Sequence, residues 1–305
     1  MAPRLVLAVR RQSVRHHVMN RPNDDRLSIA QCASLACLLE ATTPKPGNVH
    51  RGADFDDLCF NDFVVSAVAI GPAMESALRR GVGFAVLKAI RATRSLVPTN
   101  TNLGCVLLIA PLAAVPREHS LDHGISAVLG SLTARDSERV YEAIRIATPG
   151  GLGSVEDMDI RGTAPSDLIE AMRLAAERDL VARQYANVFT DVLTRVVPWL
   201  VEGQAGGWSL TTAIIHAHLR LMAEFPDSLI ARKCGMQVAQ EAADRAMHVL
   251  ASGVPSDRAY EQALSELDFW LRSDGHRRNP GTSADLIAAG LFAALRDRLL
   301  GGPFR

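Results

Sequence analysis

The chain has 305 residues, 48% of them hydrophobic, which is enough to bury one large core or two smaller ones. Its 33 basic residues balance 33 acidic ones, so no overall field favours the phosphate backbone of nucleic acid or an anionic membrane surface, and we expect neither as a partner. No apolar run approaches the ~20 residues of a membrane span, and the 5 cysteines form no C-x-x-C pair, so we expect a cytoplasmic protein.

Residues 1–23 contain several arginines and no acid. Such a start is typical of a targeting segment, of a disordered tail, or of a start codon placed too early. We expect a disordered basic tail here, followed by one helical domain over residues 24–305.

From Leu27 onward the apolar residues recur at helical spacing, and no run alternates with a period of two. Pro and Gly separate these stretches, as expected at helix ends. We therefore predict an all-α fold, a single multi-helix orthogonal bundle with buried central helices. The predicted helices are 27–42, 55–80, 83–97, 101–115, 121–132, 136–147, 166–186, 188–202, 209–224, 227–250, 256–273 and 283–299.

The first loop, Glu40 to Arg51, holds the strongest local signal. Two prolines stiffen it, and we expect an exposed Lys45 and Arg51 to meet a polyphosphate there, with Pro46 and Gly47 shaping the turn. The alternative is a turn that merely ends the first helix.

Two segments, 103–112 and 286–295, are apolar all round and belong in the centre of the molecule. Polar residues precede both, so each helix would present free N–H groups and a positive dipole end to a ligand. The alternative is ordinary helix capping. The polar residues are Asn100, Thr101 and Asn102 before the first segment, and Gly281, Thr282, Ser283 and Asp285 before the second.

The Gly150 to Arg161 stretch joins a glycine-rich turn to three acids, among them Glu156. Acids beside a polyphosphate site suggest Mg²⁺, whereas a solvated surface loop is the simpler alternative. His216 and His218 face different sides of a helix and are a poor metal pair. There is no phosphate-binding loop, dinucleotide fingerprint or nucleophile elbow, so nucleotide would have to bind to helices and their loops.

Four motifs in order resemble the series found in the triphosphoribosyl-dephospho-CoA synthase family: Pro44-Lys45-Pro46-Gly47, Asn100-Thr101-x-x-Gly104, Asp227-x-x-x-x-Arg232-x-x-Gly235, and Pro280-Gly281-x-Ser283-Ala284-Asp285-Leu286. The resemblance implies an all-helical transferase that uses ATP and 3′-dephospho-CoA, releases adenine and forms 2′-(5″-triphosphoribosyl)-3′-dephospho-CoA. Family members typically have His-Lys where this chain has Asn102-Leu103, and the chain is more similar to divergent members of archaea and tetrahydromethanopterin-using bacteria. The resemblance therefore implies 3′-dephospho-CoA or a related cofactor precursor as the acceptor.

For that reaction we assign Asp285 and Asp227 to stabilising or basic roles at the sugar. Asn100, Thr101 and Asn102 would contact base or ribose. Mg²⁺ would bridge the triphosphate to Glu75 or Glu156. Lys45, Arg51, Arg232 and the helix N-termini, including Gly281, Thr282 and Ser283, would hold the triphosphate.

Two other functions fit the same features, a magnesium-dependent ADP-ribose-type hydrolase and a helical nucleotide-binding protein without turnover. A nucleotide site requires Lys45, Asn100, Arg232 and Asp285 to converge on one cavity of roughly 300–1,000 Å³, whereas simple caps would be scattered.

Overall fold

The computed structural model describes residues 26–149, 160–302 and 304. Within these residues the chain is helical, which confirms the predicted all-α class, and a four-residue extended segment, Ser273–His276, lies outside the core. The helices are α1 (Ile29–Thr42), α2 (Phe60–Met74), α3 (Ala77–Arg80), α4 (Val82–Arg94), α5 (Leu103–Ala113), α6 (Leu121–Gly130), α7 (Ala134–Ala147), α8 (Leu168–Ala175), α9 (Leu180–Ala186), α10 (Val197–Ala205, preceded by a π-helical turn Val192–Val196), α11 (Leu210–Glu224), α12 (Ser228–Cys234), α13 (Met236–Ala251), α14 (Arg258–Arg272) and α15 (Gly281–Arg296).

Helices α5 and α15 form the centre of the molecule, as the apolar sequences predict. In α5 every residue except Gly104 is buried, and in α15 every residue except Gly281 and Asp285. They pack on each other, and α1 and the π-helical turn pack on α15. The two helices are apolar because neighbours cover all their faces, and the few residues that are not fully buried lie near their N-termini.

Three predicted helices are wrong because each is divided in two. The predicted helix 166–186 breaks before α9, where Asp179 accepts hydrogen bonds from the N–H groups of Val181 (2.8 Å) and Ala182 (3.1 Å) and so starts a new helix. The predicted helix 227–250 breaks at Gly235, whose φ of +91° lies in the region that disfavours side chains.

The predicted helix 55–80 was also wrong. It begins only at Phe60, whose N–H donates to the Asp54 carboxylate over 2.7 Å, and it is interrupted between α2 and α3. Pro72 lies in the last turn of α2, where its ring removes a donor and weakens the helix. These breaks are local capping and proline effects that apolar periodicity does not register.

A second apolar cluster joins α11, α12, α13 and α14 beside the central one. The loop after α1 fits against this part of the molecule at Gly47, which has φ +74°. A Cβ atom at Gly47 would come within 2.8 Å of Leu271 and 2.9 Å of Pro280. Glycine therefore lets the first loop approach α14 and the start of α15. No helix in the described ranges is long and apolar enough to cross a membrane.

Candidate active site

A cavity of about 690 Å³ opens at the N-termini of the two central helices. The end of α1, the loops after α1 and α4, and the helices α7, α8, α9 and α12 complete its wall. Its volume is in the range of small-molecule sites. Its polar lining residues are Glu40, Asn48, Asp57, Arg94, Thr99, Asn100, Thr101, Asn102, Tyr141, Thr148, Arg178, Asp179, Arg232, Lys233, His276, Asn279, Thr282 and Asp285.

The Asp285 carboxylate lies at the start of α5, although it belongs to α15. Its Oδ1 accepts hydrogen bonds from the backbone N–H of Cys105 (3.0 Å) and from the Cys105 thiol (3.1 Å). A Cβ atom on Gly104 would lie 2.0 Å from Oδ2 of Asp285, so only glycine leaves room for the carboxylate. The first turn of one buried helix thus holds a carboxylate from the other.

Burial raises the pKa of the Asp285 carboxyl from 3.8 to about 7. The hydrogen bonds from Cys105 oppose the rise, whereas the negative charges of Glu40 and Asp227 add to it. A carboxyl group whose pKa is near the working pH can take up and return a proton during a reaction. Asp285 is therefore chemically suited to the basic role predicted from the sequence.

Lys45 is buried and does not line the cavity, so the expectation of an exposed loop lysine is wrong. Its Nζ lies 2.8 Å from Oε1 of Glu40, 2.5 Å from the Glu40 carbonyl oxygen and 3.4 Å from the Thr43 carbonyl oxygen. An ammonium group has three N–H donors, and these three acceptors occupy them. The Pro-Lys-Pro turn folds Lys45 back onto the C-terminus of α1, where a cation is favoured.

Pro46, Gly47 and Arg51 of the same loop lie outside the cavity wall. The Gly47 N–H donates to Oδ1 of Asp268 on α14 over 2.7 Å, Pro46 is buried, and Arg51 is exposed on the far part of the loop. The structure thus gives Pro46 and Gly47 a part in docking the loop. A triphosphate contact by Arg51 stays a prediction.

Asn100, Thr101 and Asn102 all line the cavity at the start of α5. Asn100 Oδ1 accepts the N–H of Leu103 over 3.2 Å, which is the predicted capping alternative. The Thr101 hydroxyl is 2.5 Å from that of Ser66, and the Asn102 amide donates to the Thr93 hydroxyl over 3.1 Å. Oδ1 of Asn102 is buried without a hydrogen-bond partner in the described residues.

Asp227 is buried behind the wall and joins two helix starts. Its Oδ1 accepts the N–H groups of Leu229 and Ile230, and its Oδ2 accepts the N–H (2.7 Å) and hydroxyl (2.8 Å) of Ser283. Burial raises the pKa of the Asp227 carboxyl in spite of these four bonds. Because both oxygens are occupied, Asp227 positions α15 relative to α12, and its predicted role at the sugar lacks a free oxygen.

Cations from α12 and its surroundings line the opposite part of the wall. Arg232 pairs with Asp179, and its Nε is buried without a hydrogen-bond partner among the described residues. Lys233 donates to the His276 carbonyl oxygen over 3.4 Å, and burial lowers the pKa of its ammonium group. Gly281 and Thr282 lie beside them at the start of α15. These groups can meet an anion together.

Of the two predicted metal ligands, the structure describes only Glu75, which does not line the cavity. Glu75 is exposed and accepts the N–H of Ala30 over 2.7 Å, which caps α1, so its assignment to a metal beside the triphosphate was wrong. Glu156 lies outside the described residues. Among those residues no group of three or more His, Cys, Asp or Glu side chains could hold a metal ion.

Asn100, Arg232 and Asp285 converge on one cavity, as a nucleotide site requires, and Lys45 reaches it only through its partner Glu40. Glu40 and Asn48 belong to the segment from Glu40 to Arg51, and Asn279 directly precedes the motif that begins at Pro280, but the sequence alone does not single out any of the three. Asn48 and Asn279 hydrogen-bond to each other over 2.9 Å across the wall. Nothing in the local sequence singles out Arg94, Arg178 or His276, which the tertiary fold brings in.

Comparison with known proteins gives one consistent family. The family model described as ATP:dephospho-CoA triphosphoribosyl transferase matches residues 26–304. A 2-(5″-triphosphoribosyl)-3′-dephosphocoenzyme-A synthase of Pectobacterium atrosepticum is 28% identical over 277 residues, covering 86% of this chain and 87% of the relative. A protein of Vibrio cholerae serotype O1 with the same enzyme name is 28% identical over 276 residues, 86% of this chain and 85% of the relative.

The fold has also been seen in a crystal structure. A protein from Archaeoglobus fulgidus, assigned as a triphosphoribosyl-dephospho-CoA synthase, superposes with a TM-score of 0.59 and 24% identity. The match covers 79% of this chain and 99% of that chain. At this identity the likeness shows a shared fold.

Proposed function

This chain belongs to the ATP:dephospho-CoA triphosphoribosyl transferase family, and from that premise we propose that it moves the 5-triphosphoribosyl group of ATP to a hydroxyl of 3′-dephospho-CoA and releases adenine. The chain is a transferase of this family, and ATP is its donor substrate. The acceptor and the roles of single residues are part of the proposal.

The observation that carries the proposal is the Asp285 carboxylate at the cavity, whose pKa burial raises to about 7. Transfer needs a group that removes the proton of the acceptor hydroxyl as its oxygen attacks C1′ of the ribose. The Asp285 carboxylate of α15 lies against the first turn of α5 with no cation paired to it in the described residues, so it retains the basicity for that step. We assign it as the general base.

The triphosphate would lie against the cationic part of the wall. Arg232, Lys233 and Arg178 supply charge, and the N-terminus of α15 supplies the positive end of its helix dipole beside Thr282. Asn100, Thr101 and Asn102, which line the cavity at the start of α5, would hold the ribose or the base. The apolar residues of α7 and α8, including Ile144 and Met172, would cover the acceptor.

Mg²⁺ fits this site as an ion carried by the triphosphate. It prefers substrate phosphates, waters and one or two carboxylates. Asp57 lines the cavity, and its side chain is 60% exposed. Its one partner in the described residues is His276, whose Nδ1 lies 2.8 Å from Oδ1 of Asp57, so the other carboxylate oxygen can coordinate the ion. Bound there, Mg²⁺ would neutralise part of the triphosphate charge. We also propose a cytoplasmic location, consistent with five free cysteines.

The test is to incubate the protein with ATP and Mg²⁺, with and without 3′-dephospho-CoA, and to identify the products by mass spectrometry. We expect adenine and the triphosphoribosylated acceptor only when the acceptor is present. Adenine released at the same rate without an acceptor, together with free ribose 5-triphosphate, would instead establish the hydrolase. ATP binding without any turnover would favour the non-catalytic alternative.

A further inference from the structure

Two carboxylates, Glu40 and Asp285, line the same cavity in different surroundings. Building on the proposed function, we infer that Glu40 is a second catalytic residue, the carboxylate that stabilises positive charge at C1′ of the ribose, and that Lys45 is the positioning residue that holds it there. Paired carboxylates with different environments commonly divide basic and electrostatic roles in this way.

Glu40 is held as one half of an ion pair inside the protein. Its side chain is 9% exposed, and Oε1 lies 2.8 Å from Lys45 Nζ, which is itself fully buried. Among the described residues no donor is hydrogen-bonded to Oε2, and the residue lines the cavity, so Oε2 is the oxygen available to a substrate. A negative charge held in place at the wall of a cavity acts more strongly on a cation that forms beside it than the same charge in bulk water does.

Lys45 stabilises this arrangement without reaching the substrate. Its three donors are taken up by Glu40 Oε1 and the carbonyl oxygens of Glu40 and Thr43. Because a buried lysine needs a partner as much as a buried glutamate does, each fixes the other in place. Asp285, which accepts hydrogen bonds from Cys105, then takes the proton of the acceptor hydroxyl.

The step balances with these two carboxylates. The C1′–N9 bond of ATP breaks, and adenine leaves with its electron pair while positive charge builds at C1′ opposite Glu40. The acceptor oxygen forms the new bond to C1′, and its proton passes to Asp285. Solvent supplies the one proton that adenine takes up, and Asp285 then returns its proton to solvent, so no net proton is released and both carboxylates end the step as they began it.

The experiment compares Glu40→Gln, Lys45→Met and the double variant that carries both changes. Each single variant leaves a buried charge unpaired and should be destabilised, whereas the neutral pair restores matching groups of similar size. We expect the double variant to unfold at a denaturant midpoint near that of the wild type and to bind ATP within about threefold. Its kcat for adenine release should be at least about 100-fold lower, the scale of losing one electrostatic contact.

A matched control neutralises an exposed pair in the same way, with Glu142→Gln and Arg91→Met, whose side chains are 41% and 60% exposed. It should keep stability and kcat. A double variant at Glu40 and Lys45 that is stable and has wild-type kcat would overturn the inference, because the pair would then be purely structural. If the wild type releases no adenine with any acceptor, the proposed function fails first and the role of Glu40 at the sugar fails with it.

Discussion

At the scale of single residues, Asp285 should make the protein less stable as the pH rises, whereas most carboxylates with a lowered pKa make it more stable. Its pKa in the folded protein, about 7, is above the ordinary value of 3.8, so between these values the folded state binds the proton more tightly than the unfolded chain. Its contribution to the free energy of unfolding therefore falls as the pH rises from about 4 to 7. An ionised Asp285 costs stability at neutral pH.

The variant Asp285→Asn should remove that cost. We expect it to exceed the wild type in free energy of unfolding by about 1–3 kcal/mol at pH 8, with a much smaller difference at pH 4. Its transfer rate should fall by about 10²–10⁴-fold because the base is gone. Urea unfolding at the two pH values measures the first effect, and an equal difference at both would show that Asp285 does not titrate in this range.

The pH dependence of turnover should report the same group. Because the base acts when ionised, kcat/KM is expected to rise with pH through about 7 and then level off. The charged and titratable groups that act on Asp285 are Glu40, Asp227 and Cys105. Initial rates of adenine release from pH 5.5 to 9 give the profile, and a profile flat across neutral pH would assign the base elsewhere.

The variant Gly104→Ala tests how closely the Asp285 carboxylate fits against α5. In Gly104→Ala the new Cβ would meet Asp285 Oδ2 at 2.0 Å, so the carboxylate must move and its bond to the Cys105 N–H must weaken. We expect a loss of at least about 1 kcal/mol in stability, as for overpacked sites, and a large loss of kcat. Gly130→Ala is the control, because a Cβ atom there meets nothing within 4 Å and should leave both quantities unchanged or slightly raise stability.

At the scale of elements, the starts of α12 and α15 are joined through Asp227. Asp227→Ala should destabilise the protein by about 2–4 kcal/mol, since one buried carboxylate caps both helices. Turnover should fall as well, because α15 carries Asp285. Asp167→Ala removes an exposed cap of α8 and should cost only about 1 kcal/mol, with kcat retained. Chemical denaturation of both variants gives the comparison.

Sequence periodicity predicted the helices well where packing determines them and poorly where single side chains do. The central helices α5 and α15 followed directly from their uniform apolar character. The breaks at Asp179 and Gly235 depend on one cap and one backbone angle, which leave the apolar spacing intact on both sides. A prediction of helix ends therefore needs capping chemistry to be weighed against periodicity.

At the scale of the whole molecule, the site depends on two helix starts that are far apart in sequence and meet in the centre. Motif order predicted that Asn100, Arg232 and Asp285 would share a cavity, and they do. Motif order could not reveal that Lys45 points inward. Whether its ammonium group meets a phosphate or the Glu40 carboxylate depends on how the loop docks on α14. The sequence shows which side chains carry a charge, but only the tertiary contacts show which group each charged side chain pairs with.

The central claim is that ribose transfer and adenine release are one event in this cavity. The most direct measurement is the molar ratio of adenine to triphosphoribosylated 3′-dephospho-CoA in a single turnover, with wild type and Asp285→Asn side by side. The account predicts a ratio of about one for the wild type and neither product from the variant on that timescale. Adenine formed in excess of the acceptor product, or an unaffected variant, would contradict it.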